Sequence, residues 1–140
     1  DDRISAAMVG RPSGYHVVTS PYPGFPTDLQ SPMMAVMSVA EGEGRLEETV
    51  FEGRFGTVKE LQKLGADIII EDNRADIHGL YPLTGAEVAA RDLRGGAALV
   101  VAGLASQGVT RITDCSHIER GYEDICRDLR SLGAVIRGME

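Results

Sequence analysis

The chain has 140 residues, with 14 basic against 21 acidic side chains for a net charge of −7, 43% hydrophobic residues and only 5% aromatic ones. That is enough apolar chain for one largely aliphatic core and too much for a disordered or collagen-like segment. The acidic balance argues against non-specific nucleic-acid binding, and the longest apolar run, Ala97–Ala105, falls far short of a membrane-spanning helix.

The chain opens at Asp1 without a charged-then-apolar leader, which reads as the absence of a signal peptide and as a boundary within a longer protein. Tyr15–Thr19 alternates and is β-branched, so a strand is predicted there. Ser20 to Pro26 holds three prolines and a glycine and forms a stiff loop. Thr27 is a good N-cap and Asp28 falls in the first turn of a helix expected over Leu29–Ala40, with Pro32 tolerated near its start. Gly42 and Gly44 end that helix. A strand over Arg45–Val50 follows, then a helix over Phe55–Leu64 with Phe55, Val58, Leu61 and Leu64 at helical spacing and Gly65 as its C-cap. Ala66–Glu71 and Ala75–His78 form a hairpin around Asp72-Asn73. The same order then recurs: a strand over Ala86–Ala90, a helix over Leu93–Ser106, a strand over Val109–Thr113, a helix over Tyr122–Leu132 ending at Gly133, and a strand over Ala134–Arg137. A final strand is missing or just beginning at Glu140.

The recurrence is an internal repeat. Asp28-Leu29-Gln30 returns as Asp92-Leu93-Arg94, Glu52-Gly53-Arg54-Phe55 as Glu119-Arg120-Gly121-Tyr122, and Leu64-Gly65-Ala66 as Leu132-Gly133-Ala134. The repeated unit is strand–helix–strand–helix–strand–strand. Its first helix is apolar nearly all round in both copies, which is the pattern of a helix buried on every side. Helices inside and sheets outside satisfy that pattern. Two such units leave apolar helix surface uncovered, so the chain is expected to be a fragment or to self-associate.

Position singles out a few polar residues. Asp28 has two readings: an acid that stabilises a helix start, or a general base aimed at a hydroxyl from a stiff loop. Arg54 and Arg120 are repeat-equivalent and each is read as following a strand and preceding a helix; Arg94 opens another helix. Arginine matches phosphate and carboxylate bidentately, and 12 of the 14 basic residues are arginine. Singly each arginine suits a surface ion pair; three at helix starts point to an anion site. His16, His78 and His117 have no ligand partners at metal-binding spacing, so no metal site is expected. Cys115 and Cys126 fit neither a disulfide framework nor a zinc motif and read as reduced thiols of a cytoplasmic protein. Gly95-Gly96 lacks the Lys-Ser/Thr ending of a phosphate loop. Of Glu47 and Glu48, one belongs on a solvated face and the other is buried or paired, in an order the pattern leaves open.

Several segments together resemble the UDP-N-acetylglucosamine 1-carboxyvinyltransferase family of enolpyruvyl transferases: Pro21-Tyr22-Pro23-Gly24-Phe25-Pro26-Thr27-Asp28-Leu29-Gln30, Glu48-Thr49-Val50-Phe51-Glu52-Gly53-Arg54-Phe55, Leu64-Gly65-Ala66, Asp92-Leu93-Arg94 and His117-Ile118-Glu119-Arg120-Gly121-Tyr122. The resemblance runs from about Val17 to Arg137. It implies an α/β fold of the inside-out barrel type, two domains of three repeated units each. This chain, 1–140, would then be part of the C-terminal domain, with units at 15–79 and 86–140 and the last strand truncated. The implied reaction transfers enolpyruvyl from phosphoenolpyruvate to the 3-hydroxyl of UDP-N-acetylglucosamine through a tetrahedral intermediate, the first committed step of peptidoglycan synthesis. It uses no cofactor.

On the same resemblance Asp28 takes the sugar hydroxyl proton, Arg94 and Arg120 hold the phosphate and carboxylate of phosphoenolpyruvate, Arg54 completes the basic cleft, and Val50 and Phe51 line the nucleotide-sugar side. The N-terminal domain, with its reactive cysteine and catalytic lysine, is absent from this stretch, so the fragment alone is expected to be inactive. Cys115 does not match that loop and does not inherit its role. Gly53 stands where the family commonly has Asn, which implies a more flexible loop. Two alternatives stand beside this reading: a 3-phosphoshikimate 1-carboxyvinyltransferase-like enzyme, and a non-catalytic repeat module that self-associates. Neither nucleic acid nor membrane is an expected partner.

Overall fold

The computed structural model describes residues 4–138. In the first repeat, β1 (His16–Val18) lies parallel to β2 (Glu43–Glu47), in register from His16↔Arg45 to Val18↔Glu47. Parallel neighbours need a crossover, and here it carries a 3-10 turn (Thr27–Leu29) and α1 (Gln30–Ser38). β2 alternates as a half-covered strand must: Gly44 and Leu46 are buried, Glu43 and Arg45 exposed. α2 (Val58–Lys63) follows a run of turns and stops at Gly65, whose φ of +89° is the left-handed conformation that closes a helix. The chain then forms the hairpin β3 (Asp67–Glu71) and β4 (Arg74–His78), with Asp72 at φ +53° in the turn. The sheet order is β1-β2-β4-β3.

The second repeat copies the crossover. β6 (Glu87–Ala89) is parallel to β8 (Arg111–Thr113), joined through α3 (Leu93–Leu104). A short parallel pair that the sequence pattern does not announce brackets β6 and α3, with β5 (Leu83–Thr84) before them and β7 (Ser106–Gln107) after. The helix expected over Tyr122–Leu132 is α5 (Ile125–Ser131), starting three residues later, and it is preceded by a helix the sequence pattern does not announce, α4 (Ser116–Gly121). The break between the two has a local cause. Tyr122 is extended, and the Asp124 carboxylate accepts from the Arg127 N–H at 2.8 Å, capping a new helix. Ala134–Arg137 is not a strand. Its counterpart β3 is held by pairing with β4, and β4 has no second copy among the described residues. The strand start expected at Glu140 lies outside the described residues.

The core lies between the first sheet and the helices. Met34, Ala35 and Met37 of α1 and Ala98, Leu99 and Ala102 of α3 share one cluster with Leu46, Ile68, Ala75 and Ile77 of the sheet and Leu61 and Leu64 from α2 and its end. Each of the larger side chains contributes about 1.5–3 kcal/mol by leaving water. Gly95 and Gly96 let other chain approach the start of α3 closely: a methyl on Gly96 would lie 2.6 Å from Ile118 Cγ1. Glu60 joins the two repeats. Its buried carboxylate accepts from Lys63 Nζ at 2.7 Å and from the Ala89 N–H of β6 at 3.0 Å. The apolar helices are not covered on every side, however, because Val36, Val101 and Leu104 remain exposed.

Candidate active site

α1 and α3 pack together within the core, and Asp28, just before α1, meets Arg94 at the start of α3. Arg94 Nε donates to Asp28 Oδ1 at 2.6 Å, and Arg54 Nη1 lies 3.6 Å from the same oxygen. The hydrogen bond from Arg94 holds the Asp28 carboxyl below the usual aspartate range, against the opposing effect of burial and with help from the charges of Arg94 and Arg54. The carboxylate stays 64% exposed, so it can be reached from solvent.

The repeat supplies a built-in comparison. Asp92 occupies the position equivalent to Asp28, and its carboxylate caps α3 by accepting from the Gly95 N–H at 2.9 Å. Asp28 makes no such bond. The N-cap of its turn is Pro26, and no side chain caps it. Thr27, expected as the cap, turns its hydroxyl elsewhere.

Arg54 sits in the run of turns between β2 and α2. Its guanidinium stacks over the Phe51 ring at 4.2 Å from the centroid, an arrangement that orients a cation without neutralising it. Nη1 is buried without a hydrogen-bond partner. Gly53, at φ +69°, makes the turn that brings Arg54 back over Phe51; that conformation suits Gly, or Asn less comfortably. Val50 and Phe51 line a cleft of about 540 Å³ together with Gly53, Phe55 and Asn73.

Behind these residues is Glu48, 3% exposed. Its Oε1 accepts from Thr19 Oγ1 at 2.8 Å, the Val50 N–H at 2.8 Å and the Phe51 N–H at 3.1 Å; its Oε2 accepts from Thr27 Oγ1 at 2.8 Å. Burial pushes this carboxyl upward, but the four hydrogen bonds outweigh it and the net direction is down. Glu47, by contrast, is partly exposed and faces His16 at 2.9 Å. The open order of the two glutamates is thus resolved, with β2 ending as Glu48 turns inward.

Arg120 is placed differently from expectation. It lies inside α4 rather than between a strand and a helix, exposed, with Nη2 against His117 Nδ1 at 2.7 Å and Nε donating to the Ser116 carbonyl at 3.3 Å. It does not touch Asp28. It is nevertheless held near the same end of α3, since its neighbour Gly121 packs on the Leu93 side chain, next to Arg94.

The model of the EPSP synthase (3-phosphoshikimate 1-carboxyvinyltransferase) family matches residues 1–129. The chain belongs to the EPSP synthase family. Among curated relatives, UDP-N-acetylglucosamine 1-carboxyvinyltransferase from Finegoldia magna is 50% identical over 140 residues, all of this chain and 33% of that protein. UDP-N-acetylglucosamine 1-carboxyvinyltransferase 1 from Caldanaerobacter subterraneus is 56% identical over 120 residues, 86% of this chain and 29% of its own. The chain therefore spans about a third of the length of the curated relatives it matches. The solved enolpyruvyl transferase NikO from Streptomyces tendae superposes with a TM-score of 0.81 at 33% identity, covering 92% of this chain and 30% of that one. EPSP synthase from Acinetobacter baumannii shares the fold, with a TM-score of 0.65 at 18% identity over 91% of this chain and 29% of its own.

Other polar groups of this EPSP synthase family member stand apart from the cluster. Burial pushes the Cys115 thiol up, aided by Glu119, which is the opposite of what a reactive thiolate needs. Cys115 and Cys126 are free. Among the described residues there is no group of three or more potential metal ligands, and no helix is long and apolar enough to cross a membrane. Glu48 is the residue that sequence reasoning missed. The signal available was an acid at the end of a strand, two residues before the Val50-Phe51 pair, and an adjacent identical residue obscured it.

Proposed function

We propose that this chain carries part of the site of an enolpyruvyl transferase that moves the enolpyruvyl group of phosphoenolpyruvate to the 3-hydroxyl of UDP-N-acetylglucosamine and releases phosphate, in peptidoglycan synthesis. The observation that carries the reading is Asp28 held between Arg94 and Arg54 at the meeting of two repeats, in a chain that resembles enzymes of that name along its whole length. The chain is read as two units, 15–79 and 86–140, of a C-terminal domain of three. The third unit and an N-terminal domain come from the rest of the polypeptide, and the chain alone is inactive. A cytoplasmic location fits its two free thiols.

The chemistry follows from the charges. With no substrate, the two arginines lower the basicity of Asp28. Phosphoenolpyruvate brings a phosphate and a carboxylate for which Arg94, Arg54 and Arg120 are suited partners. As the anions engage the arginines, Asp28 loses its stabilising contacts and becomes a stronger base. It then takes the proton of the sugar 3-hydroxyl while that oxygen bonds to carbon 2 of phosphoenolpyruvate; the bond between carbons 2 and 3 becomes single as carbon 3 takes a proton from an acid supplied by the rest of the full-length protein. The arginines stabilise the anionic tetrahedral intermediate from fixed positions; its collapse breaks the bond from carbon 2 to the phosphate oxygen while carbon 3 gives a proton to a base, so phosphate leaves and the double bond is restored. Val50 and Phe51 border the nucleotide-sugar side.

The test is phosphate release by the full-length protein and its Asp28→Ala variant, with circular dichroism on both. Turnover in the parent and its loss in a folded variant are expected. A folded variant that turns over normally removes Asp28 from the role of base. The family model's description favours one second reading, a 3-phosphoshikimate acceptor; turnover with that acceptor and not with the nucleotide sugar selects it.

A further inference from the structure

We propose that Glu48 is a positioning residue whose buried carboxylate fixes the turn carrying Asp28 against the loop carrying Phe51 and Arg54. The kinetic side of this inference rests on the enolpyruvyl-transfer reading; the structural side does not.

The two carboxylate oxygens divide the work. Oε2 holds Thr27, the residue next to Asp28, while Oε1 holds the amides of Val50 and Phe51 and the hydroxyl of Thr19 at the end of β1. Thr19 is itself buried, and its hydroxyl also accepts from the Thr49 N–H at 2.9 Å. So three segments that are distant in sequence meet on one side chain. Two of them have little else to fix them where they meet it: the 3-10 turn that opens at Thr27 has no side-chain cap, and residues 48–51 lie between β2 and the turns that lead to α2.

A packing role does not account for the residue. Taking a carboxylate out of water is costly unless hydrogen bonds replace the lost ones, and among the described residues no lysine, arginine or histidine pairs with Glu48. An apolar side chain of similar volume would fill the space but could not tie Thr27 to Val50 and Phe51. What the carboxylate adds is a fixed distance between the base and the Arg54–Phe51 stack. Errors of about 1 Å in such a distance can cost on the order of a hundredfold in rate.

Three variants of the full-length protein test this. Thr27→Val is nearly isosteric and cuts only the tie to the Asp28 turn. Glu48→Gln keeps one acceptor for the Oε1 set, and its amide N–H can donate to Thr27 once that hydroxyl rotates. Glu48→Ala removes every tie. Expected for Thr27→Val is a kcat lowered about ten- to a hundredfold with KM for UDP-N-acetylglucosamine within about twofold. Glu48→Ala lowers kcat and also raises that KM, and Glu48→Gln recovers most of both. Hydrogen exchange on the substrate-free proteins gives an independent readout: amides at 27–30 exchange faster in Thr27→Val, and those of Val50 and Phe51 faster only in Glu48→Ala. Should Glu48→Ala not fold, the other two variants decide. A folded Thr27→Val with the parent's kcat and unchanged exchange at 27–30 overturns the inference. If the parent does not turn over these substrates, the functional reading fails and the exchange pattern alone decides for or against Glu48.

Discussion

Asp92 and Asp28 occupy the same place in two copies of one unit, yet only Asp92 caps its helix. Capping satisfies a backbone N–H and leaves little free; a carboxylate that faces two arginines instead remains available to a ligand that competes for them. Asp28→Asn keeps the shape and removes the charge, so kcat should fall by about 10²–10⁴-fold with substrate affinity largely kept, measured by steady-state phosphate release. Because Arg94 holds the Asp28 carboxyl below the usual aspartate range in the free protein, kcat/KM should stay flat as pH is lowered through 5, its acid limb appearing only below about 3.9. Glu48 has a separate signature in stability. Its carboxyl is lowered on folding, so its contribution is complete above the unfolded value of about 4.3 and is lost as pH falls through the folded one. Urea titrations of Glu48→Gln should therefore show a shallower loss of stability below about pH 4.3 than the parent shows. Asp28, Arg54 and Arg94 were legible in the sequence because helix starts and the repeat marked them. Glu48 was not, since strand ends cannot be fixed from pattern alone and burial of one of two adjacent glutamates depends on where β2 stops.

At the scale of elements, close approach explains more than propensity does. A methyl on Gly96 would stand 2.6 Å from Ile118 Cγ1 and 3.2 Å from the Ala90 Cβ, where α4 packs on α3. Gly96→Ala should destabilise by about 1–3 kcal/mol through overpacking, despite the better helix propensity of alanine, as a lowered urea midpoint with an unchanged slope. The same glycine pair was read in sequence only as the lack of a phosphate loop, because close packing is a property of the partner as much as of the residue. The parallel crossovers, α2 with its Gly65 end and the β3–β4 hairpin were legible from apolar spacing and turn residues. α4 was missed because six residues carry too few apolar positions for a helical period to register, and α5 starts later than the pattern suggests because Tyr122 is extended and Asp124 caps the new helix. β5 and β7, two residues each, are too short for any periodicity to register.

For the whole molecule, the exposed Val36, Val101 and Leu104 belong to helices whose sequences ask for burial on all sides. The isolated chain should accordingly self-associate at high concentration, and Leu104→Glu should shift it toward monomer, both read by sedimentation velocity. A chain that stays monomeric without the substitution would show that this face tolerates water. The recurring parallel crossover was legible because its landmarks return at nearly constant spacing, whereas the strand expected over Ala134–Arg137 does not form. What covers the apolar face was not legible, since a sequence states how much surface needs a partner and not which one arrives.

The Asp28–Arg94 contact joins residues 66 positions apart and belongs to neither repeat alone. Under the proposed function, an anion that bridges Arg54 and Arg94 is a fastener across the seam between the two halves of the chain. Mass action then makes occupancy a source of cohesion: at a concentration of 100 times Kd, a ligand that binds only the joined form adds about 2.7 kcal/mol against coming apart. The two halves differ at one pair of corresponding positions, Gln30 against Arg94, so the acid and the cation of this contact come from different halves. A single unit, however well folded, would inherit the acid or the cation but not the encounter between them.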